Sequence, residues 1–163
     1  MQPVSVAIAD VDRGRRTKYE HALRGMAGVK LLENVASGVD AVFTTRRAKV
    51  RTNVSVIEDE LARVKRLMPR VLLMDIKLCP DENCIMLESL HHECPATLVV
   101  LVGDESDSEE LIMKALEAGA RGYLSHEVAH HQFPKVASVV SRGEVWVSRK
   151  MLGRVMDRVQ HRE

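Results

Sequence analysis

The chain has 163 residues, 45% of them hydrophobic, which fits one globular domain with at most a short appendage and excludes a disordered chain. Twenty-four Lys/Arg against 23 Asp/Glu leave a formal net charge of +1, a balance that proposes neither nucleic acid nor an anionic membrane as partner. No apolar stretch reaches the roughly 20 residues of a membrane helix and strand signals begin at Val4, so no membrane span, no signal peptide and a cytoplasmic location are expected. Three cysteines cannot pair completely, which reads as reduced thiols rather than a disulfide framework.

Strand and helix signals alternate along the chain, the pattern of a parallel sheet with crossover helices on both faces. Short apolar runs without polar alternation predict buried parallel strands at Val4 to Ala9, Val29 to Val35, Val71 to Met74, Thr97 to Val102 and Gly122 to Leu124. A first helix is expected from Arg15 to Arg24, stopped by Gly25 and Gly28, and Ser37-Gly38 opens the next. Residues from about 44 to 58 exceed what an ordinary crossover needs and read as an insertion. Its Arg46, Arg47, Lys49 and Arg51 suit either a solvated helix extension or a docking surface for an acidic partner or nucleic acid.

A helical pattern with Leu61, Val64 and Leu67 follows. The helix at Ser108 to Leu116 has Ser108 as N-cap, Glu109 and Glu110 in the first turn, and Leu111, Ile112, Ala115 and Leu116 at helical spacing. Another is expected near Gln132 to Ser141. Gly143 then breaks the chain, Val145-Trp146-Val147 crosses to a capping Ser148, and Met151, Leu152, Val155, Met156 and Val159 form an apolar stripe. The expected division is residues 1–142 as one domain and 143–163 as a linker with an amphipathic helix. That stripe can fold back, pair with another copy, or meet a further domain.

The chemistry concentrates at strand ends. Val71 to Met74 delivers Asp75, and Val6 to Ala9 delivers Asp10 with Asp12 two residues on. Open α/β sheets bind ligands at the carboxyl edge. Three carboxylates there suggest a hard cation and phosphoryl transfer to Asp75. Cys79, Cys84, His91, His92 and Cys94 crowd another segment, but without a Cys-x-x-Cys pair they make a poor zinc site. Redox sensing by Cys79 beside Asp75 is a minor alternative. No Gly-rich phosphate loop and no Gly-x-Ser-x-Gly elbow is present, so an enzyme is not expected.

Two segments, Pro69 to Leu78 and Ala115 to Leu124, resemble the receiver domain of bacterial response regulators, in the branch that precedes a LuxR-type helix-turn-helix. The resemblance covers most of the chain. It implies a doubly wound, CheY-like sheet of five parallel strands, here with an extra C-terminal helix. It also implies phosphoryl transfer from a sensor histidine kinase to Asp75 with magnesium held by Asp10, Asp12 and Asp75, pairing of receivers into a homodimer, and DNA contact only through a helix-turn-helix absent from these residues.

Several positions depart from that pattern. The acidic pair reads Asp10-Val11, with Asp12 one residue late. Gly103 or Asp104 stands where a Ser or Thr would donate to the phosphoryl group, and His126 stands where a lysine would face it. Cys79-Pro80-Asp81-Glu82-Asn83 replaces a Met-Pro-Gly turn. These changes remove groups that stabilise one developing charge. An atypical receiver acting by protein contact is therefore expected, with the conventional phosphoacceptor as the alternative.

Overall fold

The computed structural model describes residues 2–33, 53–79, 84–104 and 106–161, with the side chains of residues 53–55 left aside. The helix expected at Ser37-Gly38 and the insertion up to residue 52 lie outside the described residues. Five parallel strands form one sheet: β1 (Val4–Ala9), β2 (Val29–Leu31), β3 (Val71–Asp75), β4 (Leu98–Gly103) and β5 (Gly122–Ser125), in the order β2-β1-β3-β4-β5. The order reverses between β1 and β3, so their carboxyl ends open the crevice where a doubly wound sheet binds ligands.

The described helices are α1 (Arg13–Leu23), α2 (Asn53–Leu67), α3 (Ile85–Glu93), α4 (Glu109–Glu117), α5 (Ala129–Ser141) and α6 (Arg149–Gln160). Side chains alternate across each strand. Val6, Ile8, Val71, Leu73, Val100 and Val102 share one core with Tyr19 and Leu23 of α1 and with Phe133, Val136, Ala137 and Val140 of α5. Ala7, Ala9, Leu72, Met74, Val99 and Leu101 share the other with Val64 of α2, Met86, Leu87 and Leu90 of α3, and Ala115 of α4. Both faces are covered, which is why the strands carry no polar alternation.

The last part of the expected insertion, residues 53–58, belongs to α2, whose Ile57, Leu61 and Val64 pack on the second core. That helix ends where Met68 takes a positive φ of 47° before Pro69. β2 ends at Leu31, before the predicted stretch is complete, and residues 34–35 of that stretch lie outside the described residues; α5 starts at Ala129, three residues earlier than predicted.

The thiols depart from expectation: Cys79 and Cys84 are joined by a disulfide, and Cys94 is free and buried. An odd cysteine count rules out complete pairing, not one bridge.

The expected linker docks against the sheet edge. Trp146 N–H donates to Arg121 O at 2.8 Å and Trp146 O accepts from Tyr123 N at 3.0 Å. A Cβ at position 122 would lie 2.9 Å from Trp146 O, so Gly122 is the residue that permits this approach. Beyond it, Ser148 caps α6 through the Met151 amide, as the sequence predicts. α6 lies on α4 through ion pairs of Arg154 with Glu109 and of Arg158 with Glu110 and Glu117. Met151 and Val155 are half-buried, while Leu152, Met156 and Val159 stay exposed.

Candidate functional site

Register brings the two acids together. β1 pairs with β3 up to Ala9 opposite Met74, so the next residues along, Asp10 and Asp75, emerge side by side at the crevice. Both are buried, at 4% and 2% exposure. Two carboxylates so placed repel unless a cation lies between them.

That cation is Arg15. Its Nε donates to Asp10 Oδ2 at 2.7 Å and its Nη2 to Asp10 Oδ1 at 2.9 Å, while Nη2 also donates to Asp75 Oδ2. The fork fits one carboxylate in a bidentate manner and reaches the second with the same nitrogen. These contacts hold the guanidinium well above its ordinary pKa, through the Asp10 hydrogen bond first.

Asp12 takes a different place from the one expected. Its side chain caps α1, accepting from Arg15 N at 3.2 Å, and its own amide donates to Asp10 Oδ1 at 2.8 Å. The cap explains the orientation: an Asp preceding a helix satisfies orphan amides of the first turn. The expected trio of carboxylates is therefore a pair bridged by a guanidinium. Among the described residues no group of three or more His, Cys, Asp or Glu side chains is arranged to hold a metal ion. With the facing oxygens of Asp10 and Asp75 occupied by Arg15, the residues as placed do not fit magnesium.

The remaining contacts of Asp75 close around it. Oδ1 accepts from Lys77 N at 2.8 Å, and Oδ2 lies 3.5 Å from His126 Nε2. His126 Nδ1 is 2.5 Å from the hydroxyl of Tyr19. Burial pushes that phenol up to about 12, so it keeps its proton at neutral pH. Burial likewise raises the Asp75 carboxyl, helped by Asp10 and opposed by the Lys77 amide, Arg15 and His126.

The positions after β4 and β5 are also accounted for. His126 N–H donates to Gly103 O at 2.9 Å, which ties the two strand ends together. A Cβ at Gly103 would lie 2.5 Å from Asp107 Oδ2, 3.0 Å from the Tyr123 hydroxyl and 3.1 Å from Ile76 Cγ2. There is no hydroxyl at this position, and a side chain there would have to displace the Asp107 carboxylate. Asp104 sits at the rim, its Oδ2 3.8 Å from Lys77 Nζ, rather than against Asp75.

Beneath the crevice lies a second ionic layer. Asp10 N–H donates to Glu60 Oε2 at 3.3 Å. Glu60 in turn accepts from Arg63 Nη2 at 2.9 Å and Arg16 Nη1 at 3.0 Å, and Arg63 also donates to Ile8 O. The sequence reading misses Arg15, Tyr19, Glu60 and Arg63. A signal for Arg15 exists: Arg13, Arg15 and Arg16 fill the first turn of α1 with no acid among them, against the helix dipole. Such a placement needs a compensating anion.

No protein-family model matches the chain. It is 24% identical over 148 residues to the oxygen regulatory protein NreC of Staphylococcus carnosus (strain TM300), covering 91% of this chain and 59% of that protein. It thus spans about three-fifths of the length of the curated relatives it matches. Among solved structures, the signal receiver domain of the putative response regulator NarL from Mycobacterium tuberculosis superposes with a TM-score of 0.62 at 19% identity, covering 88% of this chain and 100% of that one. The chain has the fold of a response-regulator receiver domain. A two-component response regulator of the LuxR family from Aurantimonas sp. SI85-9A1 gives 0.64 at 13% identity, covering 98% and 100%. The receiver fold, its five-stranded parallel sheet and its extra C-terminal helix agree with the sequence reading. No described helix is long and apolar enough to cross a membrane.

Proposed function

We propose that this receiver is an atypical one, which controls an output by protein contact and does not depend on phosphorylation of Asp75. The observation that carries the reading is Arg15 lying across Asp10 and Asp75. A receiver that transfers a phosphoryl group needs a free carboxylate oxygen as nucleophile and a cation that neutralises the incoming charge. Here Asp75 Oδ2 is engaged by Arg15 and faced by His126, and Oδ1 is held by a backbone amide. The charge balance is already met from within the chain.

The absent hydroxyl supports the same reading. With Gly103 closed in by Asp107 and Tyr123, no side chain there can sense a group on Asp75. Output by contact suits a cytoplasmic regulator that pairs with a second copy and reaches DNA through a helix-turn-helix outside these residues, so that transcription is the controlled step. A sensor histidine kinase remains the upstream partner that the family suggests, and the receiver itself is not an enzyme.

The second reading, a magnesium-dependent phosphoacceptor, is favoured by one observation: Asp10 and Asp75 do emerge side by side. Incubation with a small-molecule phosphodonor and magnesium separates the two. The expected result is an unchanged intact mass. A gain of one phosphoryl group that Asp75→Asn abolishes would establish the second reading in place of the first.

A further inference from the structure

We propose that Cys79 and Cys84 form a dithiol–disulfide couple that exchanges with low-molecular-weight thiols and sets the conformation of the turn after Asp75 and of the start of α3. The two Cα atoms are 4.6 Å apart, within the span a disulfide bridges, and the sulfurs are bonded. Asp75 caps the single 3-10 turn Ile76–Leu78 by accepting from the Lys77 amide, and Cys79 follows, its N–H donating to Ile76 O at 2.8 Å. Cys84 is the residue that opens α3. The bridge therefore joins the turn built on Asp75 to the start of the next helix.

Cys84 has a conformation that a cysteine seldom adopts alone. Its φ of 41° and ψ of 64° are left-handed, and its side chain makes no capping hydrogen bond to α3. A left-handed non-glycine residue is disfavoured unless its surroundings hold it. The bond to Cys79 is such a restraint; once it is cut, the backbone at Cys84 is free to return to a common region, and the start of α3 moves with it.

The exchange is selective for this pair. A thiolate of the external reagent attacks Cys79 Sγ, the S–S bond breaks, and Cys84 leaves as thiolate at the amino end of a nine-residue helix, where the dipole favours negative charge. A second external thiolate then displaces Cys79 from the mixed disulfide. Two external thiols become one external disulfide, and the two protein sulfurs take up the two protons released. Cys94, at the far end of α3, is buried beside Glu93, and burial pushes its thiol up, so it is a poor competitor. Both bridged sulfurs are also buried, which makes the exchange slow, and measurements belong at equilibrium.

The proposal is independent of whether Asp75 accepts a phosphoryl group. Its test uses the whole chain, equilibrated across ratios of reduced to oxidised glutathione, then unfolded and labelled with a maleimide. One label, on Cys94, is expected at the oxidised end and three at the reduced end, with the two further labels appearing together. Three labels at every ratio, or Cys79 and Cys84 changing separately, would overturn the couple. Amide resonances then follow the reduced and oxidised wild type. Shifts extending to Ile76, Lys77 and the first turn of α3 are expected, and the double variant Cys79→Ser/Cys84→Ser should match the reduced protein. Shifts confined to residues 79 and 84 would show that the bond does not govern the turn or the helix start. If the double variant fails to fold, the wild-type comparison alone decides.

Discussion

Arg15→Ala lowers the unfolding free energy by roughly 3 kcal/mol at neutral pH, because it strands two buried carboxylates that face one another. The side chains of Asp10 and Asp75 are 2% and 1% exposed, and Arg15, itself 24% exposed, is the group that touches both. Partial access of water to the guanidinium keeps the loss at the lower end of the range for a broken buried pair.

The pH dependence follows from Asp75. Its carboxyl is already raised by burial in the folded state, so its contribution to stability is fully present below the ordinary carboxylate pKa and is lost as pH climbs through the raised value. Removing the Arg15 charge raises it further. Urea unfolding should therefore show the variant closest to wild type near pH 4, about the unperturbed carboxylate value, and falling away from it towards neutrality. Adding Asp75→Asn to Arg15→Ala should restore part of the loss at neutral pH and little at acid pH. A variant as stable as wild type across the range would show that the bridge contributes nothing to the fold, and with it would go the claim that Arg15 is the resident cation of the crevice.

Glu60→Ala should cost about 3–5 kcal/mol, since it leaves Arg63 as a buried charge without its carboxylate. Arg63 is 5% exposed and keeps Ile8 O as an acceptor, Arg16 loses its Glu60 contact, and the Asp10 amide loses its acceptor. The double change Glu60→Leu/Arg63→Leu replaces the pair by apolar groups and should recover most of the stability. Glu60→Leu and Arg63→Leu, measured singly and together in urea unfolding, complete the cycle that isolates the pair. A loss below about 1 kcal/mol for Glu60→Ala would place it with exposed ion pairs and deny it any part in holding Asp10.

The sheet was readable because strands buried on both faces must be apolar throughout, and each such run marks its own carboxyl end. Asp10 and Asp75 were found that way, at the ends of Val6 to Ala9 and Val71 to Met74. Asp12 was misplaced in the crevice because a carboxylate two residues past a strand is equally suited to capping the helix that follows, and the α1 amides claimed it. Arg15 was missed because its pairing runs across that capped turn, which strand and helix periodicity do not describe. Glu60 and Arg63 sit among Ile57, Leu61 and Val64 on α2; charged residues spaced three apart within an apolar face were the unused clue to a buried ion pair. The Cys79–Cys84 bond depends on a turn geometry that composition cannot supply.

The C-terminal helix α6 is fastened by contacts unlike those of the rest of the molecule. Its ion pairs to Glu109 and Glu110 lie at the solvent-exposed surface, and Glu117 alone among the partners is largely covered, whereas every other described helix has an apolar anchor in a core. The screening length falls from about 8 Å at physiological ionic strength to about 3 Å in molar salt, which weakens such pairs. Dissolved electrolyte thus becomes a mechanical variable for this chain: concentrated salt loosens the appendage and swells the particle, while the five-stranded body keeps its shape.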